Sequence, residues 1–147
     1  MKISDQLLQD FKKYLIAKET IKKNTIQMLR AEILNISKEK HRDLNDTEIL
    51  QLISKQIKQK KDAIEEFKKA DREDLVNQTE EEILTLNIYM PEPLSIEELK
   101  SIIAETMSEL NIYHLNEMGT LIREVKSQVG VRADGKTISQ LVKEVLV

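Results

Sequence analysis

Apolar residues return at three- and four-residue steps from Ile3 almost to the end of the chain, and one proline-bearing stretch, Met90-Pro91-Glu92-Pro93-Leu94, interrupts them. That period lines one stripe of a helix against a core and does not match the two-residue alternation of a half-buried strand. Each proline biases the residue before it away from helix, so the chain turns or extends there. The pattern specifies an all-α fold: an N-terminal bundle of long helices over residues 1–90, a linker at 91–94, and a small three-helix C-terminal module over 95–147. Three glycines and two prolines in 147 residues, with 33% charged and 40% apolar side chains, fit helices rather than disorder.

Local signals place the elements. Ser4 is a candidate N-cap for a first helix carrying Ile3, Leu7, Leu8, Phe11 and Leu15 to about Lys18. Ile26, Leu29, Ile33 and Ile36 mark a second helix that dissolves in the polar run Lys38 to Asp43. Asn45 with Glu48 makes a capping box for a third, which Ile49, Ile53, Ile57, Ile64 and Phe67 carry for about six turns. A fourth helix follows Ala70, with the break between them either a true turn or a kink. Ser95 with Glu98 makes a second capping box, Asn111 suits a left-handed helix end, Gly130 stops a sixth helix, and Asp134-Gly135 turns into a seventh.

Composition excludes several chemistries. Without cysteine there is no disulfide scaffold, thiol nucleophile or thiolate metal site. Gly119, Gly130 and Gly135 are too scattered to form a phosphate-cradling loop. His41 and His114 lack a second ligand at metal spacing, and no serine sits in a glycine-flanked elbow. Glu80-Glu81-Glu82 point in different directions on a helix and read as a solvated face. No catalytic residue, cofactor or metal is expected. Lacking an apolar signal core or a membrane-length apolar run, the chain reads as soluble and cytoplasmic, with no membrane partner.

Two basic clusters remain. Lys58, Lys61, Lys68, Lys69 and Arg72 gather on one side of the third helix and just beyond it, away from the apolar stripe. They read either as a phosphate-binding face or as an exposed helix laced by ion pairs, the second favoured because Glu65 lies four residues from both Lys61 and Lys69. Arg132-Ala133-Asp134-Gly135-Lys136 puts two cations around a turn that leads into a helix N-terminus, where backbone N–H groups attract anions. The alternative, which composition alone favours, is that Asp134 simply caps its own helix and the charges keep the turn solvated. The net charge of -3 supplies no general attraction to nucleic acid: residues 1–90 hold 17 basic and 17 acidic side chains, and 91–147 hold 6 and 9.

Taken in order, Met28-Leu29-Arg30-Ala31, Lys58-Gln59-Lys60-Lys61-Asp62, Phe67-Lys68-Lys69-Ala70, Arg72-x-Asp74-Leu75, Tyr89-Met90-Pro91, Met118-Gly119 and Arg132-Ala133-Asp134-Gly135 resemble the GatB/YqeY family over nearly the whole chain. These are free-standing proteins related to the tail of the B subunit of tRNA amidotransferase. The resemblance implies the same two-part helical architecture and a link to tRNA, since the related tail is thought to hold tRNA while other subunits perform the amidation. Arg123, Glu124, Gln128 and Val131 depart from the Gly, Ala, Lys and Gly typical of the family, which makes the module less basic.

Three functions follow as expectations. The first is a non-catalytic accessory protein that meets tRNA or another RNA through Arg132, Lys136, Lys126, Lys58, Lys61, Lys69 and Arg72. The second is a component of a glutamine-dependent carbon–nitrogen ligase, working with amidotransferase or synthetase subunits that bring the missing catalytic groups. The third is a protein–protein adaptor using an apolar groove between the modules.

Overall fold

Asn45 and Ser95 open their helices by the same device. The Asn45 side chain accepts from the Glu48 N–H at 2.9 Å while Glu48 accepts from the Asn45 N–H at 3.2 Å, and Ser95 and Glu98 repeat the exchange at 3.1 and 3.5 Å. Each box satisfies donors that the first turn leaves without partners. The computed structural model describes residues 1–147, and every regular element is helical: α1 Ile3–Ile16, α2 Thr20–Lys40, α3 Asp46–Lys69, α4 Glu73–Asn87, α5 Ile96–Leu110, α6 Met118–Val129 and α7 Gly135–Val145, with single 3-10 turns at Leu115–Glu117 and Gly130–Arg132.

Helix ends depend on left-handed residues more than the sequence signals. Lys18, His41, Asp71 and Asn111 all have φ between 54° and 59°. After the first three, the next N–H reaches back five residues: Glu19 to the Tyr14 carbonyl at 3.0 Å, Arg42 to Ser37 at 3.2 Å, and Arg72 to Phe67 at 2.9 Å. Ile112 does the same to Met107 at 3.0 Å. This closure satisfies orphan carbonyls at a position usually taken by glycine. Asp71 makes the α3–α4 break a full turn.

Ser4 is not the cap of α1. The N-cap is Lys2, and the Ile3 N–H is satisfied by Asp46 Oδ1 of α3 at 3.2 Å, so a neighbouring helix supplies the acceptor.

The chain divides into two compact units, Met1–Met90 and Pro91–Val147, each with its own apolar core. In the first, α4 packs on both α2 and α3, and α1 packs mainly on α2. Leu7, Ile26, Leu29, Ile49, Ile53 and Leu86 are almost entirely shielded, each contributing about 2 kcal/mol of burial. Tyr89, just past α4, is buried and its hydroxyl donates to Asp10 Oδ2 of α1. Burial and the Asp10 carboxylate raise its pKa far above the ordinary phenol range, so it stays a donor. The Tyr89 of the Tyr-Met-Pro motif thus fastens α4 to α1.

In the second unit α6 packs on α5 and α7 around Leu99, Ile103, Leu121, Val125, Ile138 and Val142. Gln128, one of the departures from the family pattern, donates to Thr106 Oγ1 at 3.0 Å and ties α6 to α5. Thr106 in turn donates to the Ile102 carbonyl at 2.7 Å, which lets a buried hydroxyl sit in an apolar core.

Candidate nucleic-acid interface

Arg132 ends the 3-10 turn between α6 and α7, and its first task is structural. Its Nε donates to the Glu92 carbonyl at 3.0 Å, while its own carbonyl accepts from the Leu94 N–H at 2.9 Å. These two bonds clamp the proline segment to the α6–α7 turn. The rest of the exposed guanidinium carries no carboxylate partner and remains available to an anion.

Gly130 ends α6 at φ 57°, and Asp134 opens α7 by accepting from the Lys136 N–H, a long bond at 3.4 Å. Lys126, one turn back from the end of α6, lies across the start of α7. A methyl group placed on Gly135 would sit 3.1 Å from Lys126 Cε and 3.2 Å from its Nζ, so the missing side chain is what admits the lysine. The structure therefore brings Lys126 to the first turn of α7, whose sequence also presents Lys136, with Arg132 on the turn before it. A helix N-terminus flanked by cations attracts phosphate. Opposing this, Asp134 holds one of the turn's N–H groups and adds a negative charge.

The cluster on α3 is disposed differently. Lys68 pairs with Glu65 at 3.8 Å, Lys69 with Glu66 at 3.3 Å, and Arg72 with Asp74 at 3.0 Å. Glu65 was expected to bridge Lys61 and Lys69; it takes Lys68 instead, at the i,i+3 spacing, and Glu66 serves Lys69. Arg72 holds the Asp74 carboxyl below its usual range and is itself raised by that partner. Lys58 and Lys61 are exposed and unpaired, and Lys60, which was not singled out, is half-buried in a 2.8 Å pair with Glu82 of α4. The signal for Lys60 lay in its position on the apolar side of α3, where a lone cation requires a partner.

No group of three or more His, Cys, Asp or Glu side chains gathers into a metal-binding cluster, and no helix is long and apolar enough to cross a membrane. The class these features define is a helical protein of two small units whose second unit displays cations free of carboxylates.

Residues 4–146 match the model of the family described as Yqey-like protein, and the chain belongs to that family. Among named relatives, altered inheritance of mitochondria protein 41, mitochondrial, of Pyrenophora tritici-repentis is 32% identical over 146 residues, covering 96% of this chain and 79% of the relative. The protein of the same name in Lachancea thermotolerans is 37% identical over 107 residues, covering 71% and 57%, and that of Kluyveromyces lactis is 39% identical over 84 residues, covering 56% and 45%. The chain thus spans about half the length of these two yeast relatives.

These names overturn the expectation of a cytoplasmic location, because the relatives are mitochondrial proteins. The expectation rested on the lack of an apolar signal core, which speaks only to the secretory route. Mitochondrial leaders are amphipathic and basic and carry no such core.

Proposed function

We propose that this protein is a non-catalytic accessory factor whose C-terminal three-helix module, residues 95–147, contacts the phosphates of a tRNA or another RNA. The observation that carries the reading is the Lys126 side chain lying against Gly135 in the first turn of α7, the turn that also carries Lys136, with Lys126, Lys136 and Arg132 all unpaired with a carboxylate. Cations left unneutralised at a helix N-terminus suit a partner that brings the negative charge. The resemblance to the amidotransferase tail points the same way. Of the candidate cations on and just beyond α3, only Lys58 and Lys61 are free to contribute, because Lys69 and Arg72 have partners of their own.

Contacts of this kind are sequence-tolerant and salt-sensitive. The test is binding of bulk and individual tRNAs across a salt series, with a DNA duplex of equal charge as control. Saturable binding that prefers tRNA supports the reading, and no binding at low salt removes it.

A second reading, the protein adaptor, is favoured by an apolar groove of about 300 Å3 in the C-terminal unit, lined by Lys100, Ile103, Ala104, Met107, Tyr113 and Val145. Tyr113 and Val145 are each nearly half exposed there. A glutamine-dependent ligase complex would need catalytic groups from partner subunits, and a copurifying subunit with those groups would favour it.

A further inference from the structure

The N-terminal unit contains a cleft of about 580 Å3 that its apolar core does not fill. It opens because α2 and α3 both pack on α4 but scarcely on each other. Its size falls within the range of small-molecule sites, about 300–1,000 Å3.

The charges in its walls are unevenly matched. Lys60 and Glu82 neutralise each other at 2.8 Å, both about four-fifths shielded. Glu32 is half-buried, and its only partner is the neutral Gln56 amide, whose Nε2 donates to Glu32 Oε2. A carboxylate partly removed from water without a cation is under-compensated, and its second oxygen remains free to accept. Met28, Ile21 and Ala63 add an apolar strip to the same cleft, and the Gln59 and Gln78 side chains add further carbonyl acceptors. A ligand that matches all three features is cationic, slender and aliphatic, with more than one N–H donor group.

We propose that this cleft binds a linear aliphatic polyamine, one ammonium group meeting Glu32, the methylene chain lying along Met28, Ile21 and Ala63, and a second ammonium reaching the amide carbonyls. The site is independent of the cations at the start of α7, which lie in the other unit.

The experiment is calorimetric titration of the full chain with spermidine, without RNA and at constant ionic strength. The variants are Glu32→Gln, which removes the charge, Ala63→Leu, which fills the cleft and keeps every charge, and Glu105→Gln, an exposed carboxylate of the other unit. Saturable one-to-one binding is expected, weakened at least tenfold by Glu32→Gln and by Ala63→Leu and unchanged by Glu105→Gln. Spermidine should also raise the melting temperature of the parent chain and not that of Glu32→Gln. Circular dichroism on both cleft variants separates lost binding from lost folding, and Ala63→Leu still decides the matter if Glu32→Gln unfolds. No saturable binding by the parent chain overturns the proposal. So does equal binding by Glu32→Gln, equal loss in Glu105→Gln, or full displacement by magnesium at the same ionic strength.

Discussion

All seven ion pairs of this protein lie in residues 1–90, and the six cations of residues 91–147 have none. The N-terminal unit pairs seven of its cations internally, partly across helices, as where Lys40 and Arg42 at the end of α2 meet Glu48 at the start of α3 at 2.8 and 2.7 Å. The C-terminal unit is more acidic overall yet leaves its lysines and arginines unpaired. Net charge and available charge are therefore different quantities: the unit with the poorer charge balance leaves all of its cations free of carboxylates, whereas the balanced unit ties up seven of its 17.

The strongest way to break this contrast is to separate the units. Leu121→Ala, which empties a fully buried position in the second core, should cost about 2–5 kcal/mol. If the units are energetically distinct, hydrogen exchange should accelerate across 91–147 while 1–90 keeps its protection. Uniform acceleration would make the two cores one cooperative system.

Next in size is the test of availability itself. Lys126→Ala with Lys136→Ala should weaken tRNA binding about tenfold at low salt and reduce the salt slope by about 1.5, near 0.7–0.9 per lost phosphate contact. Lys58→Ala with Lys61→Ala should do less, and Lys68→Ala with Lys69→Ala less still, because each of those two lysines has a glutamate beside it. An equal loss from the α3 variants would erase the distinction.

Arg132→Ala sharpens it further by dividing structure from binding. Loss of the bond to the Glu92 carbonyl should lower stability by about 1 kcal/mol, read by chemical denaturation in the absence of RNA. In the opposite direction, Lys18→Gly should raise stability by about 1 kcal/mol, since a lysine held at φ 59° carries strain that glycine lacks.

The smallest effect concerns acid. Bonds from Arg42, Lys40 and the Asn45 N–H depress the Glu48 carboxyl well below its usual range. Its contribution is complete above the unfolded carboxyl pKa of about 4.3 and disappears as pH falls toward the depressed folded value. Glu48→Gln should therefore flatten the loss of stability below about pH 4. An unchanged acid profile would mean that these exposed bonds act only as geometry.

Much of the fold was legible because its signals are local. The capping boxes at Asn45 and Ser95 span three residues, and Asp134, Asn111 and Gly130 act within one turn of where they stand. The left-handed end at Lys18 was not legible, since lysine has no preference for that geometry, and those at His41 and Asp71 were only permitted by residue types that tolerate it. Of the candidate site, the cations were readable and their partners were not. Arg132 and Glu92 are 40 residues apart, and whether Glu65 serves Lys61, Lys68 or Lys69 depends on rotamers that sequence spacing leaves open.

The sequence by itself determined that the chain is helical, where most helices begin, that the prolines interrupt the pattern near residue 91, and that it belongs to the Yqey-like family. These follow from period, capping and motif order, which act over a few bonds. Tertiary structure alone decided that Lys60 meets Glu82, that Lys126 reaches the start of α7, that Tyr89 fastens on Asp10, and that a cleft stands open between α2 and α3. The physical reason is range: a backbone conformation is set by neighbours along the chain, whereas the partner of a charge is set by whatever the folded chain brings within a few ångströms of it.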